Sequence, residues 1–375
     1  MSIYLELGVK TIINAVGTYT VVGATRMTET TLHDLCEAAR EFVKIEDLQK
    51  AVHRKVAELT RNEAAFLCNS CSTAIYLATA AFVERHYGRD FNLLSQEEIA
   101  QCECVALWGQ HIPYDHAIEQ LGIKLKFIGY PNMGAALAPE VLENAINERT
   151  AFAYFAPRTP DGYYGEGCMN LEDFLRICHK KGIPVLADGA AQLPPKSNLW
   201  RYTEMGAELA CFSGGKDLAG PQASGLLVGK QEYISIIDHL GFPKYGPGRL
   251  MKIGREEIIA LYSAIRQYVN ADENARLQWC EIEVKKLIDA LEDSAHFRAE
   301  RAWPNQAGQP LPRAFAELKN TKLTASELRK MLEEGDPGII AYSENRPGVY
   351  INPMCLRPGE MEKIIARMKE IDQII

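Results

Sequence analysis

Between about residues 60 and 230, short apolar runs alternate with stretches of helical period, the pattern that builds a mainly parallel sheet covered by helices. The runs predict strands at Ala64–Cys68, Cys104–Trp108, Lys124–Ile128, Phe152–Ala156, Pro184–Asp188, Leu209–Ser213 and Gly225–Val228. One connecting helix is well marked. Asn170 is placed to cap it, Asp173 follows three residues on, Leu171, Phe174, Leu175 and Cys178 share a face, and Gly182 stops it. From Arg255 to Leu291 the period is again helical, rich in Glu, Lys and Ala with no internal Pro or Gly, which predicts a long helix linking two lobes. Strand-like pieces follow at Ala314–Leu318, Ile339–Tyr342 and Val349–Ile351, and an amphipathic helix runs from Pro358 onward.

With 375 residues and 47% hydrophobic content the chain is long enough for a large core and two lobes. Its formal charge of -8 argues against a broad attraction to nucleic acid or anionic membranes. The N-terminus lacks a basic stretch followed by an apolar one, and no apolar segment reaches membrane-spanning length, so a cytoplasmic location is expected. The ten cysteines then read as reduced, mostly buried thiols. Cys68-x-x-Cys71 and Cys102-x-Cys104 have no second pair or neighbouring His at zinc-finger spacing, so no metal is expected.

Several polar residues stand where α/β proteins place ligands. Asp188 ends an apolar strand and would emerge at the carboxyl edge of the sheet. Lys216 follows the next strand, after Gly214 and Gly215, whose lack of side chains permits a tight turn, and Ser213 three residues earlier offers a hydroxyl to a phosphate. Asn69-Ser70-Cys71-Ser72-Thr73 lies between a strand and an alanine-rich helix, where backbone amides and hydroxyls form an anion site. His111 follows another strand and offers a flat ring, and Gln192 on the Asp188 loop offers a donor. These provisions match what pyridoxal 5'-phosphate requires: a lysine for its carbonyl, a carboxylate for its ring nitrogen, a phosphate cradle and a ring-covering group.

On those residues the segments Asp188-Gly189-Ala190-Ala191-Gln192-Leu193-Pro194-Pro195 and Phe212 to Gln222 resemble the fold type I enzymes related to bacterial selenocysteine synthase, nearest the D-glucosaminate-6-phosphate ammonia-lyase branch. Agreement extends to Ile13-Asn14-Ala15 with Gly17-Thr18, to Glu46-Asp47-Leu48-Gln49, and to Gly246-Pro247-Gly248-Arg249 with Lys252 and Glu256-Glu257-Ile258. The resemblance implies an α/β, aspartate aminotransferase-like fold, with a mainly parallel sheet in a large domain and a small α+β domain. The expected boundaries are an N-terminal segment, 1–50, contributing to the small domain; a large cofactor-binding domain, 51–265; and a C-terminal small domain, 266–375. It also implies a homodimer or larger assembly with active sites between subunits, in which the turn at Gly220 serves a neighbour's phosphate. Arg249 and Lys252 fall near the expected substrate entrance.

Two departures bear on substrate. Cys71 stands where relatives carry Gly in the phosphate loop, and Ala341 and Met354 stand where relatives carry arginines. Because such arginines grip a carboxylate through two hydrogen bonds, Arg346 or Arg357 is expected to compensate, with Arg26 and Arg158 as further candidates. The expected activity is that of a lyase on an amino acid or amino-sugar acid, Lys216 acting as base. The same residues would equally serve a racemase or transferase, and loss of the substrate cations would leave a non-catalytic cofactor-binding regulator. The acidic balance argues against a tRNA partner.

Overall fold

The structure, a computed structural model, describes residues 3–130, 137–157 and 169–375. Twelve strands are present among them: β1 Ile12–Asn14, β2 Ala64–Cys68, β3 Glu103–Leu107, β4 Lys124–Ile128, β5 Thr150–Phe155, β6 Val185–Asp188, β7 Leu209–Ser213, β8 Gly225–Gly229, β9 Phe297–Ala302, β10 Arg313–Leu318, β11 Gly338–Ile340 and β12 Gly348–Ile351. The chain divides into two compact units, 27–271 and 1–26 with 272–375.

The larger unit is built on a seven-stranded sheet in the order β2-β8-β7-β6-β5-β3-β4. Its inner strands read as nearly continuous apolar runs because helices cover both faces, whereas edge strand β4 carries Lys124 and Lys126. On one side Phe66, Cys104, Phe152, Tyr154, Leu186 and Cys211 form a core with the alanine-rich helix Cys71–Tyr87. On the other, Leu67, Val105, Phe155, Val185, Ala187 and Phe212 meet the helices Ile45–Leu59, Leu171–Lys180 and Arg255–Asn270. All neighbours run parallel except β8, which is antiparallel to both β2 and β7. That reversal brings the first residue of β8, Gly225, level with the last residues of its neighbours, Cys68 and Ser213.

The smaller unit holds the antiparallel sheet β12-β10-β9 and the parallel pair β1-β11. Ala314, Ala316, Val349, Ile351 and Phe297 share its core with the helices Glu273–Ala290, Ala325–Glu333 and Glu360–Asp372. Among the described residues no helix is long and apolar enough to cross a membrane.

The predicted strands are all present, with ends shifted by up to two residues. The Asn170 cap is also present, its side chain accepting from the Asp173 amide at 2.8 Å. Two strands had no counterpart in the sequence pattern, β1 and β9. The long helix expected over Arg255–Leu291 is two helices, because Asp272 turns its carboxylate onto the amides of Asn274 and Ala275 and starts a new one.

Candidate active site

Asp188 follows three buried apolar residues of β6 and is itself only 5% exposed. Its Oδ2 accepts from the Tyr154 hydroxyl at 2.6 Å, and its Oδ1 accepts from the Ala190 amide at 2.9 Å. The thiols of Cys71 and Cys211 point at the same Oδ1 from 3.8 and 3.7 Å. Burial pushes the Cys211 thiol and the Tyr154 phenol far above their usual ranges, the Asp188 carboxylate adding to both. The hydrogen bond from Cys211 pulls the Cys71 thiol down, but burial and Asp188 together raise it by more. All three groups are therefore protonated donors at neutral pH. Thiols are weak donors, so the carboxylate keeps capacity for one further strong partner.

Lys216 lies in the turn between β7 and β8. The turn is closed by Gly214 N to Ser224 O and by Gly220 N to Gly214 O, each 2.9 Å. Position 215 must be glycine, since a Cβ there would sit 2.5 Å from the Cα of Gln222. Ala219 takes a left-handed conformation, φ 55°, one rarely adopted without compelling surroundings. The neighbouring Asp217 is buried and accepts from the Tyr268 hydroxyl at 2.7 Å, which ties the turn to the helix Arg255–Asn270. Lys216 Nζ lies 5.8 Å from the Tyr114 ring centre, and its charge acts on the Cys71 thiol, the same thiol that faces Asp188.

The hydroxyl-rich segment caps the 17-residue helix Cys71–Tyr87 as expected. Ser70 Oγ accepts from the Thr73 amide at 3.0 Å, and Thr73 Oγ1 donates to Asn69 Oδ1 at 2.6 Å. Ser70 and Ser72 are half-buried at the start of this helix, while Cys71 is buried and turned to Asp188. A Cβ at Gly225 would lie 2.4 to 2.7 Å from the backbone of Ser70 and Cys71, so only glycine lets β8 begin under this loop. Ser213 is half-buried at the end of β7, opposite Gly225.

His111 sits after β3 with its Nδ1 2.7 Å from Asp115 Oδ2, an oxygen that also accepts from the Ile112 amide. Its ring meets Phe127 at 4.5 Å and Trp108 at 5.5 Å between centres. Asp115 is buried and its carboxyl is raised by that burial. Gln192 is buried, and its carbonyl accepts from Asn198 Nδ2 at 2.7 Å.

Arg26, Arg249, Lys252, Arg346 and Arg357, the cations proposed for substrate among the described residues, are exposed. Arg249 lies 5.2 Å over the Phe242 ring, and Lys252 follows it on the same loop. In the smaller unit Arg346 pairs with Glu300 at 3.1 Å, donates to the Tyr350 hydroxyl at 3.0 Å and stacks 3.7 Å over Phe315. The Arg357 amide donates to Glu360, and Arg26 makes a two-pronged pair with that same Glu360. Arg158 lies outside the described residues.

Tyr154, Cys211, Asp115 and Gly225 were assigned no role from the sequence, and Asp217 entered only as part of the Phe212–Gln222 segment. Asp115 stands four residues after His111, the spacing that could have marked it. The residues present fit pyridoxal phosphate: a buried acid with acceptor capacity, a lysine on the next turn, and a hydroxyl-rich helix N-terminus for which Gly225 makes room.

Residues 12–308 match the family described as SelA, L-seryl-tRNA selenium transferase. The chain is similar to a D-glucosaminate-6-phosphate ammonia lyase of Salmonella typhimurium, 26% identical, covering 99% of this chain and 98% of that protein. It is also similar to a 5'-C-glycyluridine monooxygenase-decarboxylase of a Streptomyces species, 24% identical over 98% and 91% of the two chains. Among solved structures, that of D-glucosaminate-6-phosphate ammonia-lyase superposes with a TM-score of 0.82 at 25% identity, covering 100% of this chain and 98% of the other. A NifS-like protein at 16% identity and TM-score 0.62 shares the fold.

Proposed function

The chain belongs to the L-seryl-tRNA selenium transferase (SelA) family of fold type I enzymes, and from that premise we propose that it is a pyridoxal 5'-phosphate-dependent lyase of the ammonia-lyase type. Its substrate is an amino acid or amino-sugar acid, and D-glucosaminate 6-phosphate, the compound in the name of the relative at 26% identity, is the first to test. The observation that carries the reading is the convergence of Tyr154, Ala190, Cys71 and Cys211 on the buried Asp188, beside the turn that bears Lys216.

When bound, pyridoxal phosphate supplies a sink for the electron pair left when an amino acid loses its α-proton. Asp188 is the residue to hold the ring nitrogen, and Lys216 the residue to bind the carbonyl carbon. Ser70, Cys71, Ser72, Ser213 and Gly220 are assigned to the phosphate, His111 to the ring face and Gln192 to the phenolic oxygen. The Asp115 carboxylate orients the His111 imidazole. Lys216 Nζ takes the α-proton, and the β-substituent departs with its bonding pair. Hydrolysis of the resulting enamine releases a 2-oxo acid and ammonia. Arg249 and Lys252 are the cations of the larger unit offered to an anionic substrate. A homodimer or larger assembly and a cytoplasmic setting complete the reading, with no nucleic acid partner.

The experiment is a panel of D- and L-amino acids, with D-glucosaminate 6-phosphate, added to the cofactor-loaded protein. Release of ammonia and 2-oxo acid in equal amounts is expected. Solvent deuterium entering the α-position without ammonia would replace the lyase with a racemase, and no spectral response to any amine would leave a non-catalytic binder.

A further inference from the structure

A cleft of about 450 Å³ opens at the edge of the seven-stranded sheet where β2 is the outermost strand. One wall is the helix Ile45–Leu59, packed on one face of the sheet, and the other is the helix Gln231–Leu240, packed on the opposite face. The volume is that of a small-molecule site.

His53 reaches from the first helix to the edge of β2 and lines the cleft. It is only 8% exposed, and its Nε2 accepts from the Leu67 amide at 3.1 Å. A neutral imidazole that accepts at one nitrogen carries its proton on the other. Burial keeps this ring neutral by lowering its pKa to about 4. Nδ1 is therefore a donor, and among the described residues it has no hydrogen-bond partner. With Nε2 occupied and Nδ1 protonated, the ring has nothing to give a metal and one N–H to give an acceptor.

The charged residues around the cleft are Lys50, Arg54, Glu58, Glu63 and Asp238. Glu58 is taken by Lys55 at 2.9 Å, and Glu63 accepts from the Gln231 amide at 3.0 Å. Lys50 and Arg54, one turn apart on the first helix, and Asp238 on the second make no ion pair or hydrogen bond among the described residues. The two walls thus differ in sign. A simple anion would gain Lys50 and Arg54 but be repelled by Asp238, and a simple cation the reverse. A molecule carrying both charges satisfies both walls.

We propose that this cleft binds a small zwitterion of the amino-acid kind, its carboxylate taken by His53 with Lys50 and Arg54 and its ammonium by Asp238. The cleft touches the first residues of β2, Ala64 and Ala65, whereas the Ser70 loop follows the last, Cys68. The site is therefore separate from the proposed cofactor site and does not rest on the lyase reading.

Calorimetric titration of the purified full-length protein with N,N-dimethylglycine and with γ-(dimethylamino)butyrate tests it, because a tertiary amine cannot condense with a cofactor carbonyl. Butyrate and trimethylamine, each with one of the two charges, are the controls. At least one zwitterion is expected to bind once per chain, about tenfold or more tighter than either control. Arg54→Gln and Asp238→Asn, both changes at helix surfaces, should each weaken it about fivefold or more. Lys216→Ala should bind it as wild type does. No binding of either zwitterion, butyrate bound as tightly as the zwitterions, or an affinity unchanged in both surface variants overturns the proposal. Loss of binding in Lys216→Ala would place the ligand in the other site and overturn it as well.

Discussion

The Tyr154 hydroxyl donates to Asp188 Oδ2 at 2.6 Å from the neighbouring strand, both residues being buried. A hydrogen bond to a charged group contributes about 1.5 to 3 kcal/mol. Tyr154→Phe keeps the ring and removes only that donor, so kcat should fall roughly tenfold with the cofactor still bound. Asp188→Asn, which removes the charge, should fall on the order of 10²-fold or more. Steady-state kinetics on the identified substrate decides, and normal turnover by Asp188→Asn would remove this carboxylate from the chemistry.

Borohydride treatment of the yellow, cofactor-loaded protein should fix the cofactor on a peptide containing Lys216. Mass spectrometry reads the site directly, and a label on any other lysine would sink the assignment. Lys216→Ala should take no label.

Gly225→Ala drives a methyl group into the Ser70 and Cys71 backbone. The loop has to move, so cofactor affinity should drop more than tenfold, and stability by roughly 1 to 3 kcal/mol as for other overpacked sites. Equilibrium dialysis of the cofactor and urea denaturation measure the two effects separately. Unchanged affinity in a folded Gly225→Ala protein would show that this loop is not the phosphate cradle.

His53 is buried against Phe66, and its Nε2 accepts from the Leu67 amide at 3.1 Å. Burial lowers its pKa from 6.5 to about 4. The folded value lies below the unfolded one, so the unfolded chain binds the extra proton between them. The contribution is full above pH 6.5 and is lost as pH falls toward 4. Between pH 7 and pH 5 the loss is about 2 kcal/mol. His53→Gln retains an acceptor without the titration, so its urea midpoint should vary less with pH than that of wild type over this range.

The larger unit was legible because most of its strands are apolar runs, edge strand β4 with Lys124 and Lys126 excepted, and the Asp188 and Lys216 turns stand at strand ends. β9 was not, since of Phe-Arg-Ala-Glu-Arg-Ala only Phe297 is buried, and pairing with β10 makes it a strand. β1 is three residues long and depends on β11, far along the chain. The helix break at Asp272 had its signal in the sequence, an acid just before a new helical run, but the absence of Pro and Gly outweighed it. Tyr154 reads as one more apolar strand residue until Asp188 comes opposite its hydroxyl. Arg313 looks like a solvated charge until β10 is buried with Tyr350 and Glu344 around it.

The reversed strand β8 also sets an order of assembly. Its pairing with β7 closes a short hairpin, a sequence-local event that shapes the Lys216 turn early and at small entropic cost. Its pairing with β2 joins Gly225 to Cys68 across most of the unit and must wait for the chain between them. On contact order alone the Lys216 turn is expected to form before the Ser70–Cys71 loop is fixed, and only the long-range pairing brings the two together. A cofactor that binds only a molecule with both in place would draw the folding equilibrium toward that completed pairing.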